Sequence, residues 1–318
     1  MDASSLDRLL CLLEVRMQAF ALCEISRGWR LRLPCPDGVL VHYILAGRGI
    51  VTVDGQAVPF GPGCLVFLNP ACGEHEISQE SGGEQVAEWK MASRPLGEGM
   101  MRIQAGSGDP VIVSACSTIS AECGGLDIFE RLREPLVEDL SPDPAVERAF
   151  ALMMAELRKP RFGTRALLEA LMKQCLIAAI RCQIEHGELR LLSLPGLGDA
   201  RLMKALLEIV EDPAREHSLD QLARVSGMSR SLFAERFAEA FHRPPIDLLK
   251  QVRLHRAANL LRNSRLPVQI IAMTVGYSSR SYFSRAFRSA YGADPKTFRA
   301  EARAEAVREH GSKAGETT

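Results

Sequence analysis

The sequence predicts a multi-domain α+β protein. An amino-terminal antiparallel β-barrel is followed by helices and by a carboxy-terminal all-α domain with two helix-turn-helix units. Short apolar segments separated by Gly and Pro turns fill residues 29–113, a pattern typical of antiparallel strands. Aromatic residues recur twice at helical spacing within residues 218–299. At 318 residues the chain is long enough to form two separate cores.

The chain opens with a predicted helix over residues 1–20, because Leu6, Leu9, Leu13 and Met17 fall on one side of it. Strands come next, and the dipeptide at residues 54–55 (Asp-Gly) is a strong hairpin turn. The predicted strands are 39–45, 50–53, 56–60 and 64–68. Apolar residues return to helical spacing over residues 126–190, and the Pro- and Gly-containing residues 194–198 form a linker.

The first helix-turn-helix unit begins at Ser218, which is a natural N-cap residue. Gly227 lies where the turn between crossed helices requires a positive φ. Ser229 caps the next helix, whose Phe233 and Phe237 begin an aromatic stripe that Phe241 completes. A lone stripe of this kind usually marks a core, so the caps and the glycine carry the prediction.

The same pattern returns fifty residues later, with Gly276 in the turn and Ser279 as the cap. Its aromatic stripe consists of Phe283, Phe287 and Tyr291. Between the units, Pro245 opens one amphipathic helix over residues 246–263, which at ~1.5 Å per residue spans about 27 Å. That length is close to the ~34 Å between successive major grooves on one face of DNA.

Charge is concentrated in this segment. Residues 218–299 contain fourteen Lys and Arg and five Asp and Glu, so their formal charge is +9, whereas the whole chain is neutral. A solvated surface helix would interleave both signs. The basic segment therefore indicates a surface that binds phosphate groups.

The second unit carries residues that resemble the AraC/XylS-type DNA-binding domain. The run consists of Ile270-Ile271-Ala272, Val275-Gly276-Tyr277, Ser281-Tyr282-Phe283, Phe287, Gly292, Pro295 and Phe298-Arg299. One departure is Met273, where the family often has glutamate. The resemblance implies a DNA-binding transcription regulator, more often an activator, with an effector or dimerisation domain at the other end.

The resemblance also implies which residues contact DNA. In the first unit they are Ser229, Arg230, Ser231, Ala234 and Glu235, and in the second they are Ser279, Arg280, Ser281, Ser284 and Arg285. The two serine caps suit phosphates, because helix N-termini offer free N–H groups. Arginine can donate two hydrogen bonds from its guanidinium group to guanine O6 and N7, whereas alanine offers only a methyl contact. Most base discrimination is therefore expected from Arg280 and Arg285.

The order of strands and turns in residues 29–113 resembles the cupin-like sensing domains of AraC-type regulators. That resemblance implies a small-molecule effector, with His42, Tyr43 and His75 as candidate ligand-binding residues. Metal-binding cupins usually show His-x-His, a nearby glutamate and a third histidine. Because this chain lacks that set, His42 and His75 are expected to line the barrel mouth rather than to hold a metal.

The expected domains are a cupin-like sensing domain over 1–125, a helical dimerisation region over 126–193, a linker over 194–200, an AraC-type DNA-binding domain over 201–306 and a disordered tail over 307–318. The nine scattered cysteines include no Cys-x-x-Cys pair, as expected for reduced thiols in a cytoplasmic protein. Residues 1–13 lack the character of a secretory signal peptide, and no apolar run reaches the length of a membrane helix.

The expected partners are double-stranded DNA, an unidentified small molecule, RNA polymerase and a second copy of the chain. No cofactor is expected, and no Gly-x-Ser-x-Gly, P-loop or His-Glu-x-x-His motif suggests an enzyme. One alternative is an oxidant-sensing regulator of the same fold that uses Cys23, whose thiol would have to be accessible and of low pKa. A second is a metal-dependent cupin enzyme fused to a DNA-binding domain.

Overall fold

The computed structural model describes residues 3–34, 38–96, 100–192 and 195–311. The chain divides into two compact units. The amino-terminal unit comprises Glu14–Ala121 and Asp127–Ser193, and the carboxy-terminal unit comprises Met1–Leu13, Glu122–Leu126 and Leu194–Thr318. In the described residues, no helix combines the length and the hydrophobicity that crossing a bilayer requires.

Strands dominate the amino-terminal unit. They are β1 (Leu13–Ser26), β2 (Trp29–Leu33), β3 (Val39–Ala46), β4 (Gly49–Val53), β5 (Gln56–Phe60), β6 (Cys64–Leu68), β7 (His75–Ser78), β8 (Gln85–Glu88), β9 (Ser93–Pro95), β10 (Met101–Ala105), β11 (Pro110–Cys123), β12 (Leu126–Asp127) and β13 (Leu136–Asp139). The strands predicted from the turn residues are confirmed. At the β4–β5 hairpin, Asp54 and Gly55 both have positive φ, of 48° and 81°, as a type I′ turn requires.

The strands form two sheets whose inner faces share one apolar core. One sheet runs in the order β13-β6-β3-β11-β1-β10-β9, with β12 paired to β11, and the other in the order β5-β4-β7-β2-β8. The predicted β-rich amino-terminal region followed by helices is confirmed, and it differs from a simple antiparallel barrel in two respects. Neither sheet closes on itself in the described residues, and the β1–β10 and β2–β8 pairs are parallel. Leu31, Ile44 and Ile77 are buried core residues from both sheets.

The predicted helix over residues 1–20 is confirmed only in its first part, and the prediction for the rest was wrong. Helix α1 covers Ala3–Cys11, and β1 begins at Leu13. The reason is a change of period, because Leu13, Val15 and Met17 are buried whereas the residues between them are more exposed. This alternation is the mark of a strand with one buried face.

Two helices complete the amino-terminal unit, α3 (Pro144–Arg158) and α4 (Thr164–Glu185), and a four-residue helix α2 (Trp89–Ala92) follows β8. The predicted helical region therefore starts at Pro144 rather than at residue 126, since β12 and β13 come first. Asp143 caps α3 by accepting a hydrogen bond from the Ala145 N–H, and proline occupies the first turn, where its missing N–H costs nothing.

The carboxy-terminal unit is helical. Besides α1, it contains α5 (Ala200–Glu211), α6 (Leu219–Val225), α7 (Arg230–Phe241), α8 (Pro245–Asn263), α9 (Val268–Thr274), α10 (Arg280–Tyr291) and α11 (Pro295–Gly311). The two predicted helix-turn-helix units are α6–α7 and α9–α10, joined by the predicted helix α8. Helix α1 belongs to this unit, and its Arg8 donates to Glu211 of α5 at 2.8 and 2.6 Å.

The ends of the carboxy-terminal unit differ from the predicted boundaries. Pro195–Gly198 forms a short 3-10 turn, and α5 starts at Ala200. Helix α11 continues to Gly311, so residues 307–311 of the predicted tail are helical, and residues 312–318 lie outside the described residues. Cys35 also lies outside them, and the other eight cysteines form no disulfide bond.

Candidate functional site

The first helix-turn-helix unit is shaped by caps that the sequence encodes locally. Ser218 and Gln221 form a reciprocal capping box at the start of α6. Gly227 has a φ of 62° in the turn, and the Ser229 side chain accepts a hydrogen bond from the Leu232 N–H at the start of α7. Phe233, Phe237 and Phe241 are buried, which leaves the opposite side of α7 at the surface.

The second unit repeats this arrangement. Gly276 has a φ of 88°, and the Ser279 side chain accepts from the Tyr282 N–H at the start of α10. Phe283 and Phe287 are fully buried in a cluster that also contains residues of α8 and α9. Helix α10 therefore has a fixed inner face and an exposed outer face.

The candidate DNA-binding residues lie on these outer faces. Ser229, Arg230, Ser231, Glu235, Ser279, Arg280, Ser281 and Arg285 are exposed, and Ala234 and Ser284 are partly exposed. Within the described part of the chain, no acidic side chain pairs with Arg280 or Arg285. Arg230 comes within 3.7 Å of Asp220, but both side chains are mostly exposed, so this pair contributes little.

Not every basic residue of this segment is available to a phosphate. Arg253 donates to the carbonyl oxygens of Pro213 and Arg215, and Arg299 donates to that of Leu266. These two guanidinium groups therefore connect helices and loops of the unit. Their partial burial also lowers the pKa of each.

Two exposed side chains with large apolar surface on the same helix faces were not among the DNA-contacting residues predicted from the sequence. Leu232 on α7 is 42% exposed, and Tyr282 on α10 is 50% exposed. Each lies three residues after its serine cap. This position on the first turn of the helix is the sequence feature that could have identified it as a DNA-contacting residue. Side chains of this kind can contact a thymine methyl group or the sugar-phosphate backbone.

In the amino-terminal unit, His42 and His75 come together, but not at a mouth. Both are buried, and their ring centroids are 5.7 Å apart. Burial lowers the pKa of His75 to about 4, and burial followed by the neighbouring His75 lowers the pKa of His42 well below its usual value. Both imidazoles are therefore neutral at neutral pH.

Tyr43 does not join them. Successive side chains of a strand point to opposite faces, and the Tyr43 ring stacks on Phe150 of α3 with centroids 4.3 Å apart. The three candidate effector-binding residues therefore do not line one cavity. This alternation was already readable from the adjacent positions of His42 and Tyr43.

Cys23 lies beside Cys116, with the two sulfur atoms 3.3 Å apart and Cys23 fully buried. The hydrogen bond with Cys116, then burial, raises the pKa of Cys23 well above its usual value. Arg30 and Arg32 both bind Glu76, and neither is among the groups that shift the pKa of Cys23. A buried, protonated thiol is a poor nucleophile toward an oxidant.

A cavity of about 600 Å³ lies elsewhere in the amino-terminal unit. Trp29, Met91 and Ala92 provide apolar surface, and Glu88 and Arg94 provide charges. Its volume falls in the usual range for sites that bind small molecules. Sequence reasoning missed it because its walls come from strands and a short helix that are distant along the chain.

Comparison with known proteins assigns both halves of the chain. A family described as cupin matches residues 5–185, which include α3 and α4, and a family described as a helix-turn-helix domain matches residues 222–301. The HTH-type transcriptional regulator MtrA of Neisseria gonorrhoeae is 27% identical over 303 residues, which cover 93% of this chain and 98% of MtrA.

A putative AraC-like transcription regulator of Streptomyces antibioticus is 26% identical over 312 residues, which cover 92% of this chain and 97% of the relative. Among solved structures, the DNA-binding domain of AdpA, in complex with a target DNA, is 28% identical and covers 33% of this chain and 95% of its own, with a TM-score of 0.32.

The relatives that match along nearly the whole chain are named as transcription regulators, and none of these names describes an enzyme. The helix-turn-helix match covers the two helix-turn-helix units of the structure, and the cupin match covers its β-rich region. The chain therefore belongs to the AraC family of DNA-binding helix-turn-helix transcription regulators that carry an amino-terminal cupin domain.

Proposed function

We propose that this regulator recognises a specific double-stranded DNA site through α7 and α10, and that it activates transcription when a small molecule binds its amino-terminal unit. The observation that carries the proposal is the pair of capped helices, each with a buried aromatic stripe and an exposed outer face. The activating direction follows the expectation for AraC-type proteins, and RNA polymerase is the partner that it implies.

The connecting helix supports binding to two grooves. Helix α8 has 19 residues, which at ~1.5 Å per residue is about 28 Å. Its buried residues include Leu248, Val252 and Leu261, so α8 packs against helices of both helix-turn-helix units and acts as a stiff connection. A spacer of this length suits major grooves about one helical turn apart.

The two helices are not equal readers in this proposal. On α10, Arg280 and Arg285 can each bind guanine with two nitrogens. On α7, Ala234 offers a methyl group, and Glu235 can only accept hydrogen bonds. Helix α10 therefore supplies most of the base discrimination, and α7 mainly positions the protein through Ser229 and Arg230.

We place the effector in the cavity beside Trp29 rather than at His42, Tyr43 and His75. The cavity combines an aromatic surface with Arg94 and Glu88, which together suit a small organic molecule with a polar or charged group. The two histidines are enclosed in the core, and Tyr43 is covered by Phe150.

Helices α3 and α4 are the proposed contact between two copies of the chain. Leu152, Leu167 and the loop residue Phe162 are exposed apolar side chains there, of which Phe162 is completely exposed. Apolar surface of this kind marks interaction sites. Such a dimer in the cytoplasm would bring four recognition helices to one DNA region.

The oxidant-sensing alternative is the weaker one. It requires a thiol that reacts directly, whereas Cys23 is buried and its pKa is raised. We therefore favour a bound small molecule as the signal.

Footprinting tests the proposal directly. Purified protein is added to the DNA upstream of its neighbouring genes, with and without candidate small molecules. The proposal expects protection of two major-groove segments about one helical turn apart. Uniform, sequence-independent protection at every protein concentration would contradict it.

A further inference from the structure

Metal-ligating side chains from separate strands converge in the core of the amino-terminal unit. Cys23 of β1, His42 of β3 and Cys116 of β11 each offer a ligand atom, and these atoms lie within 4.8 Å of one another. His42 and Cys116 are paired across neighbouring strands. His75, on β7 of the other sheet, contributes a second imidazole beside His42.

Two nitrogen atoms of this cluster have no partner in the described structure. They are the Nε2 atoms of His42 and His75, and both are buried. Leaving a buried polar atom without a partner costs free energy, and few native groups are left so. The other ring nitrogen of His42 lies 3.3 Å from the Ser114 hydroxyl, which can orient the ring. A histidine held through one nitrogen, with the other open, is the usual arrangement of a metal ligand.

The spacing suits a tetrahedral ion. Zinc–sulfur bonds of ~2.3 Å place two sulfurs about 3.8 Å apart, compared with 3.3 Å between Cys23 and Cys116. Two imidazoles on one zinc have ring centroids about 5 Å apart, compared with 5.7 Å between His42 and His75. Cys23, His42 and Cys116 therefore already lie near tetrahedral spacing, whereas His75 lies outside this 4.8 Å cluster and has to move further to complete the ligand set.

The charges also balance. Two thiolates and two neutral imidazoles around Zn²⁺ give a site with no net charge, which avoids the large cost of burying an isolated charge. Binding would release the two thiol protons to solvent. Thiolate and imidazole together favour zinc over the hard cations that prefer oxygen ligands.

We propose that Cys23, His42, His75 and Cys116 bind one Zn²⁺ ion, which links the inner faces of the two sheets. This site is separate from the proposed effector cavity and from DNA binding. The sequence does not indicate this site, because Cys23 and Cys116 are 93 residues apart and only strand pairing brings them to the histidines.

The test is the zinc content of the full-length protein, purified in the presence of zinc and freed of loosely bound metal. We expect one zinc per wild-type chain and loss of zinc in Cys23→Ser and Cys116→Ser. Cys175→Ser is the matched control, because Cys175 is another fully buried thiol in the same unit but lies outside the cluster. It should retain the zinc.

Two measurements on wild-type protein keep the proposal testable if the variants fail to fold. Cobalt in place of zinc should give a thiolate-to-cobalt charge-transfer absorption, and zinc should protect Cys23 and Cys116 from alkylation until a chelator is added. A wild-type chain that retains no zinc and whose alkylation is unaffected by zinc would overturn the proposal. Equal loss of zinc in Cys175→Ser, or copper in place of zinc, would also overturn it.

Discussion

The rings of His42 and His75 meet edge to face, with centroids 5.7 Å apart and planes at 74°, although the two residues belong to different sheets. Their backbones approach only because the inner faces of the two sheets pack together around one core. Long-range strand packing therefore determines what surrounds each histidine. The helix-turn-helix units, by contrast, are shaped by residues close together in sequence.

Phe287 should be central to the stability of the second helix-turn-helix unit. It is fully buried, with ring centroids 4.6 Å from Tyr291 and 5.2 Å from Phe298. Phe287→Ala should lower the free energy of unfolding by ~3–5 kcal/mol, because a cavity remains. Chemical denaturation measures this, with the exposed Ser289→Ala as the control. An unchanged stability would mean that the aromatic cluster is misassigned.

The two turn glycines allow a matched comparison. Gly227 and Gly276 both have positive φ, but a Cβ at Gly227 would meet no atom within 4 Å, whereas one at Gly276 would lie 2.7 Å from the Ala214 carbonyl oxygen. Gly227→Ala should cost about 1–2 kcal/mol from backbone strain. Gly276→Ala should cost more, because strain and overlap add. Equal losses in a denaturation experiment would show that the second turn relaxes.

These glycines also show what the sequence could predict. Caps, turns and aromatic stripes depend on residues within a few positions, so Ser218, Ser229 and Ser279 are recognisable as caps from the sequence alone. The amino-terminal unit depends on pairing between distant strands. The approach of Cys23 to Cys116 and the cavity beside Trp29 are therefore not recognisable from the sequence. The wrong helix prediction at residues 13–20 has a different cause. The alternation of apolar and polar residues that marks β1 as a strand is present in the sequence itself.

Glu138 should make stability depend on pH. Burial raises its pKa above the ordinary value of 4.5, although the Gln183 side chain donates to it. As pH rises from 4.5 toward the raised pKa, the unfolded chain releases this proton before the folded chain does, so stability falls. Glu138→Gln removes the charge and keeps an acceptor for Gln183.

The difference in melting temperature between Glu138→Gln and wild type should therefore shift in favour of Glu138→Gln as pH rises from 4.5 to the raised pKa of Glu138. Above that pKa the difference should stay constant. The exposed Glu185→Gln serves as the control. A difference that stays constant across the window would show that Glu138 ionises equally easily in both states.

The proposed effector cavity should depend on Arg94. Arg94→Ala removes a charged group from the cavity wall, so it should weaken the reporter response to the small molecule. Lys90→Ala removes a charge from the neighbouring helix α2 but not from the cavity lining, so its response should stay intact. If Cys23→Ser alone abolished the response, and a thiol reductant suppressed it in wild type, the oxidant would be the signal instead.

Base reading by α10 is tested by the affinity of Arg285→Ala for the footprinted site and for random DNA. Arg256→Ala, which removes an exposed arginine of α8, is the control for charge alone. Arg285→Ala should lose ~1–3 kcal/mol on the specific site and much less on random DNA, whereas Arg256→Ala should lose the same small amount on both. Equal losses on both DNAs for Arg285→Ala would show that Arg285 contacts only phosphate and does not read a base.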